Sequence, residues 1–156
     1  MSEKVKIKQQ SKSYLFWKRF FDIVLSSGAL VCFSPVFLAV FIMNRFGDNK
    51  GPLFYKQERI GWHGKPFKIY KFRSMVVNAD KILEADPELY AKYVANNYKL
   101  EPEEDPRITR LGEWLRKTSI DEIPQFINIL RGEMSIIGPR PVVKKELAEY
   151  GNRVDK

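Results

Sequence analysis

Two adjacent carboxylates, Asp121 and Glu122, lie in a stretch of the sequence that is rich in basic residues. The neighbouring cations are Arg107, Arg110, Arg116, Lys117, Arg131 and Arg140. Carboxylates ligate Mg²⁺ and guanidinium groups match phosphate oxygens, so this set can hold a metal ion and a diphosphate. Neighbouring helical residues point about 100° apart, which predicts different roles for the two carboxylates. A helix dipole and nearby arginines should keep Asp121 anionic.

The same pair also fits a purely structural role. Thr118–Glu122 opens a predicted helix through residues 121–130, and Ser119 with Glu122 matches a capping box. Other chemistries fit less well. Adjacent carboxylates suit glycoside hydrolysis badly, no Walker-type or Gly-x-Gly-x-x-Gly phosphate loop occurs, and the lone His63 is typical of a solvated turn.

A long apolar segment precedes these residues. No charged residue occurs between Asp22 and Arg45, a stretch long enough to cross a hydrocarbon core of roughly 30 Å. Ser34 and Pro35 interrupt it, because proline removes a backbone donor. Both flanks are basic, which favours placing both of them in the cytoplasm. These features favour a re-entrant helix–break–helix, with a kinked transmembrane helix as the alternative.

The remaining elements predict a small α+β, mostly helical domain. Residues 53–60 and 65–72 alternate around Gly61–Gly64 and predict a β-hairpin. Residues 79–100 predict one or two amphipathic helices, which either pack on the core or lie in a membrane interface. A short helix follows around 111–117.

Composition indicates an anionic partner. The formal net charge is +8 and the pI about 9.5, a balance typical of proteins that bind nucleic acid, acidic lipids or phosphorylated substrates. The basic and aromatic hairpin is a candidate nucleic-acid footprint, but no recognition motif accompanies it. A single cysteine, Cys32, excludes an intrachain disulfide, and one His with one Cys argues against structural zinc.

Several residue strings together resemble the bacterial sugar transferases, which are monotopic polyprenyl-phosphate phosphoglycosyl transferases. The strings are Lys18–Asp22, Ser34-Pro35, Gly51–Gly61, Lys71–Met75, Asp105–Thr109, Leu115–Gln125 and Gly132–Pro141. The resemblance implies transfer of a sugar 1-phosphate from a UDP-sugar to undecaprenyl phosphate, with release of UMP. It further implies Mg²⁺ as cofactor and a location at the cytoplasmic face of the bacterial inner membrane, where surface glycan or glycoprotein assembly begins.

The resemblance also implies roles for the residues that match the family motifs. Asp121 would be the nucleophile, forming an aspartyl-phosphosugar intermediate, and Glu122 would bind Mg²⁺ with it or handle protons. Ser34 and Pro35 would form the break in the re-entrant helix. Substrate phosphates would be bound by Arg116, Arg140, Lys71, Arg73 and Arg107.

The expected organisation has three parts: a basic N-terminal segment at 1–17, a re-entrant membrane helix at 18–46 and a cytoplasmic catalytic domain at 47–156. Family members usually continue past the position of Lys156, so a C-terminal part of the family domain is expected to be missing. Expected partners are UDP-sugar, undecaprenyl phosphate and inner-membrane lipids, without nucleic acid, and a homodimer is compatible with them. The alternative is a non-catalytic, membrane-anchored adaptor that binds anionic lipid or nucleic acid through its basic surface.

Overall fold

The fold is α+β and mostly helical, as predicted. A computed structural model describes residues 11–61, 64–96, 100–138 and 141. Two strands, β1 (Phe54–Ile60) and β2 (Pro66–Phe72), pair as the predicted antiparallel hairpin. The helices are α1 (Lys12–Cys32), α2 (Ser34–Met43), α3 (Ala79–Ala85), α4 (Pro87–Ala95), α5 (Arg110–Lys117) and α6 (Gln125–Leu130), with 3-10 turns at Gly47–Asn49 and Ile120–Glu122.

The chain divides into two units, of which the first comprises Met1–Cys32, Lys56–Tyr70 and Gln125–Lys156. Here α1 packs along α6. Arg19 of α1 donates hydrogen bonds to the carbonyls of Ile129 and Leu130 and so satisfies the free C-terminus of α6. Asn128 is fully buried; its amide accepts from the Tyr70 backbone N–H at 2.9 Å and donates to the Lys68 carbonyl at 2.8 Å. These bonds fasten α6 to β2.

The second unit comprises Phe33–Tyr55 and Lys71–Pro124. Its core contains aromatic rings of α2 and the hairpin: the Phe37 and Phe72 centroids lie 4.9 Å apart, and Phe54 stacks on Phe72 at 5.9 Å. Other core side chains of this unit are Val40, Leu83, Leu111, Leu115 and Ile123. The candidate catalytic residues therefore lie on elements that are anchored by one apolar core.

The predicted break at Ser34 and Pro35 is present. Helix α1 ends at Cys32, and Pro35 lies in the first turn of α2, where its missing N–H breaks no helical bond. Phe33 accepts hydrogen bonds from the backbone of Val36 and Phe37 and so begins the second helix. Among the described residues no single helix has the length and apolar composition for a membrane span, whereas α1 and α2 together meet that criterion, with a bend of 51° between them.

Of the two alternatives for the stretch that begins at residue 79, one helix or two, the structure has two, α3 and α4. Asp86 separates them and caps α4 by accepting from the backbone N–H of Glu88 and Leu89. The prediction of one helix through 121–130 is wrong. Pro124 has no backbone N–H and cannot make the hydrogen bond that a continuous helix needs at this position, so it separates the turn at Ile120–Glu122 from α6.

Candidate active site

Asp121 and Glu122 lie in the 3-10 turn that follows α5. The end of α5 is closed by Thr118, whose hydroxyl donates to the carbonyls of Trp114 at 2.8 Å and Leu115 at 3.2 Å. Ser119 then adopts a left-handed conformation with φ 57° and ψ 15°. This single residue redirects the chain and begins the turn that carries both carboxylates.

The capping box, which was the structural alternative for this pair, is not formed. Ser119 makes no side-chain cap to the turn. Its backbone carbonyl accepts from the Glu122 N–H at 3.3 Å instead. A capping serine needs an extended backbone to aim its hydroxyl at the following N–H groups, and a left-handed backbone turns it away. The structural explanation for this carboxylate pair therefore loses its main support.

The turn gives the two carboxylates different surroundings. Asp121 is buried, whereas the Glu122 side chain is 47% exposed. Leu115, Ile123 and Pro124 are also buried around the turn and hold its backbone in place. The two carboxylates thus differ in exposure, and that they also differ in role stays a prediction.

Lys71 lies directly beside the carboxylate pair. It is the penultimate residue of β2, and its Nζ is 2.9 Å from Oε1 of Glu122. The next residue, Phe72, is 1% exposed, and the Arg73 backbone N–H donates to the Leu53 carbonyl at 3.0 Å. The backbone of Lys71 is therefore fixed by the core, while its long side chain reaches the site.

Arg116 is oriented toward the same region by Ser74. Its Nε donates to the buried Ser74 hydroxyl at 2.9 Å. The Ser74 carbonyl in turn accepts from the Thr109 backbone N–H at 3.1 Å. Helix α5 approaches this backbone so closely that a β-carbon on Gly112 would overlap the Ser74 carbonyl oxygen. Gly112 is required for that approach, and the approach positions Arg116 one turn later.

Burial raises the pKa of Asp121 above its usual range. Positive charge on Lys71 opposes this shift, Glu122 adds to it by like-charge repulsion, and Arg116 opposes it. The expectation that a helix dipole and arginines hold Asp121 anionic thus has the wrong direction. A turn of three residues contributes little dipole, so desolvation decides the sign.

Arg73 and Arg107 have protein partners of their own. The buried guanidinium of Arg73 donates to the carbonyls of Pro52 at 2.8 Å and Met75 at 3.0 Å, to the Asn49 carbonyl and to Asn44 Oδ1. Burial lowers the pKa of Arg73. These contacts tie the segment after α2 to the end of the hairpin.

Arg107 forms a bidentate ion pair with Asp105. Nε and Nη2 lie 2.8 Å from the two carboxylate oxygens, and the side chains are 6% and 2% exposed. The Tyr93 ring lies 5.5 Å from the guanidinium. The structure therefore brings Asp121, Glu122, Lys71 and Arg116 together and engages Arg73 and Arg107 with the protein. Arg140 and His63 lie outside the described residues.

The donor set suits a Mg²⁺ ion shared with substrate. No cluster of three or more Asp, Glu, His or Cys side chains occurs among the residues that the structure describes. Mg²⁺ is commonly held by one or two carboxylates together with substrate phosphates, rather than by a complete protein cage. Asp121 with the half-exposed Glu122 meets that pattern.

Comparison with known proteins places this site in a family. The family model described as bacterial sugar transferase matches residues 13–156. The chain belongs to the bacterial sugar transferase family. Its turn at Ile120–Glu122 and the ends of β2 and α5 therefore form the candidate active site of a family member.

Members of the bacterial sugar transferase family in three organisms show the extent of similarity. The exopolysaccharide production protein ExoY of Rhizobium meliloti (strain 1021) is 47% identical over 137 residues, which cover 85% of this chain and 59% of that protein. Undecaprenyl-phosphate galactose phosphotransferase of Salmonella typhimurium is 44% identical over 148 residues, which cover 92% of this chain and 30% of that protein. UDP-glucose:undecaprenyl-phosphate glucose-1-phosphate transferase of Klebsiella pneumoniae is 40% identical over 138 residues, which cover 87% of this chain and 26% of that protein.

The chain therefore spans from about a quarter to about three fifths of these relatives' lengths. The relatives are named for transfer or polysaccharide production, so the comparisons do not favour the alternative of a non-catalytic adaptor. They confirm the resemblance to the bacterial sugar transferases.

Proposed function

We propose that the chain transfers a sugar 1-phosphate from a UDP-sugar to undecaprenyl phosphate, releasing UMP and forming undecaprenyl-diphospho-sugar. The observation that carries the proposal is the buried Asp121 beside Glu122, with Lys71 and Arg116 in electrostatic contact. Two relatives are named for undecaprenyl phosphate as acceptor, and one of them for UDP-glucose as donor.

The first step uses Asp121 as nucleophile. A carboxylate oxygen attacks the phosphorus that carries the sugar. The bond from this phosphorus to the bridging oxygen breaks, and UMP leaves with the electron pair. Because burial raises the pKa of Asp121, its anion is more basic and less hydrated than an ordinary aspartate. That environment favours attack once the charge of the diphosphate is neutralised.

The second step returns the enzyme to its starting state. An oxygen of undecaprenyl phosphate attacks the same phosphorus, and the bond to Asp121 breaks to regenerate the carboxylate. A phosphate ester is the nucleophile in this step and the leaving group in the first, so no net proton is taken up or released. The buried aspartate is therefore a nucleophile in one step and a leaving group in the other.

The cationic side chains of the site neutralise the negative charges of the substrate phosphates. Lys71 contributes a point charge on a flexible stem, whereas Arg116, oriented by Ser74, presents a planar guanidinium. Asp121 and Glu122 would hold Mg²⁺, which when bound would neutralise negative charge on the diphosphate. We assign positioning roles to Arg73 and Arg107 because protein groups engage their guanidinium nitrogens.

The proposed location is the cytoplasmic face of the bacterial inner membrane, with α1 and α2 as a re-entrant pair. Support comes from the bend at Phe33 and from exposed apolar side chains on both helices, such as Trp17, Leu25, Leu38 and Ile42. Cysteines replacing Lys12 and Lys56 in a Cys32→Ser background should be labelled from the same side by an impermeant thiol reagent. Labelling from opposite sides would contradict re-entry.

The experiment that tests the catalytic proposal is intact-protein mass spectrometry after brief incubation with UDP-sugar and Mg²⁺ but no lipid acceptor. A panel of UDP-sugars is used, because the donor sugar is unknown. The wild-type chain should gain one sugar phosphate and release about one equivalent of UMP. Asp121→Asn should gain nothing, while the control Glu113→Gln, an exposed carboxylate on α5, should behave as wild type. An adduct on Asp121→Asn would overturn the assignment.

A further inference from the structure

The ion pair between Lys71 and Glu122 differs from the other lysine–glutamate pairs in its surroundings. The Lys71 side chain is 20% exposed, against 64% for Lys92 and 63% for Lys117. It also reaches a second carboxylate, since its charge acts on Asp121. Its ammonium therefore lies at the carboxylate pair of the candidate site, Asp121 and Glu122, to which we assign the divalent cation.

Two features of Lys71 allow it to change partners. Its backbone is fixed between the core residue Phe72 and the pairing of β2, so the side chain always starts from the same place. The four-carbon stem has freely rotating bonds, and an ammonium has no preferred planar geometry. The ion pair is half open to solvent on the Glu122 side, which limits its strength.

We propose that Lys71 competes with the divalent cation for Glu122 and transfers to the substrate diphosphate when that cation binds. The inference rests on the proposed function. The Lys71 ammonium lies 2.9 Å from Oε1 of Glu122 and repels a metal ion that approaches either oxygen of this carboxylate, so metal binding is favoured when the ammonium moves away. The diphosphate supplies the displaced ammonium with a new anionic partner.

The exchange makes metal binding and diphosphate binding mutually supportive. Metal releases Lys71 for the phosphates, and phosphates stabilise Lys71 away from Glu122, so each ligand strengthens the other by the same factor. Without the diphosphate, Lys71 holds the affinity for metal low. The carboxylate pair is therefore neutralised by Lys71 before the metal ion binds and by the metal ion afterwards. Lys71 is a positioning residue in the first state and contacts the substrate diphosphate in the second.

The test measures binding of Mn²⁺ to the full chain by electron paramagnetic resonance, without nucleotide. Removing the competing ammonium in Lys71→Met should tighten binding about 3- to 10-fold, from the modest strength of a half-exposed ion pair and the loss of a nearby positive charge. Lys71→Arg keeps the charge and should stay within about two-fold of wild type. Lys117→Met, which removes a paired lysine from α5, controls for general electrostatics and should also stay unchanged.

A second arm adds UDP as the diphosphate. UDP should tighten Mn²⁺ binding in wild type by a larger factor than in Lys71→Met, because only wild type has an ammonium to transfer. Equal or weaker Mn²⁺ binding by folded Lys71→Met, or no binding to any variant, would overturn the inference. A wild-type chain that forms the Asp121 adduct while Lys71→Met shows no gain in affinity would refute the competition and leave the proposed function standing.

Discussion

Replacing Arg107 by methionine distinguishes a guanidinium that stabilises the fold from one that binds substrate phosphate. Arg107 and Asp105 meet through two 2.8 Å contacts at almost complete burial. Burial alone would raise the pKa of Asp105, but hydrogen bonds from Arg107 outweigh it, and the pKa lies below its usual range. The hydrogen bond to Asp105 likewise raises the pKa of Arg107. Arg107→Met would leave Asp105 buried and unpaired.

Arg107→Met should lower the free energy of unfolding strongly. Removing one partner of a buried ion pair costs about 3–5 kcal/mol of unfolding free energy. For a chain of this length each kcal/mol shifts Tm by about 2–4 °C, so Arg107→Met should lower Tm by roughly 6–20 °C. The double variant Asp105→Asn with Arg107→Met should recover part of that loss, because no unpaired charge remains.

The pH dependence follows from the direction of the Asp105 shift. Its folded pKa is depressed, so its contribution is fully present above the unfolded value, near 3.9, and disappears as pH falls through the folded value. The Tm difference between wild type and Arg107→Met should therefore be largest near neutral pH and shrink as the pH falls, because unpaired Asp105 in the variant takes up a proton already above about pH 4 and paired Asp105 in the wild type only below it. Thermal unfolding followed by circular dichroism measures this Tm difference. Arg110→Met is the control, because Arg110 is exposed. A Tm within about 2 °C of wild type, combined with lost turnover, would refute the structural role.

Substitutions at three further positions probe the site. Gly112→Ala should lower Tm by the equivalent of about 1–3 kcal/mol or more, because its β-carbon would overlap the Ser74 carbonyl; an unchanged Tm would contradict that close approach. Ser119→Gly should keep turnover and raise the free energy of unfolding by about 0.5–1 kcal/mol, because glycine adopts positive φ freely. Ser119→Val should lower both turnover and the free energy of unfolding. Equal behaviour of the two variants would show that the turn does not need a left-handed backbone at this position. Asp121→Asn should abolish turnover but leave Tm at pH 7.5 equal to that of the wild type or higher. Because the pKa of Asp121 is raised in the folded state, its ionised form opposes folding at high pH, and asparagine removes that charge. A clearly lower Tm would show that the carboxylate stabilises the fold.

Much of the fold could be predicted because local rules decide it. The hairpin follows from alternation around Gly61–Gly64, and the break at Phe33 follows from Pro35, because proline fits the first turn of a helix but not its interior. The single helix predicted through 121–130 is wrong because Pro124 lacks the N–H that a continuous helix needs at that position. The left-handed backbone of Ser119 has no signal in the sequence, because a residue with a side chain rarely adopts positive φ.

The candidate site was predicted in part. Asp121, Glu122, Arg116 and Lys71 lie together, but the sequence did not indicate which basic residues have protein partners. Asp105, two residues before Arg107, was an available signal for a local ion pair. The role of Ser74 depends on a contact with Arg116 across 42 positions, which spacing alone does not reveal.

The chemistry of the carboxylate pair follows from the kind of turn that carries it. In a 3-10 turn, successive side chains point about 120° apart, so one member of an adjacent pair can face the core while the other faces solvent. Asp121 is buried and has a raised pKa, while Glu122 is half exposed and paired with Lys71. A desolvated carboxylate is suited to covalent attack, and an accessible one is suited to exchanging an ammonium for a metal ion. An α-helical capping box would instead have placed both carboxylates at a solvated helix end, where neither property arises.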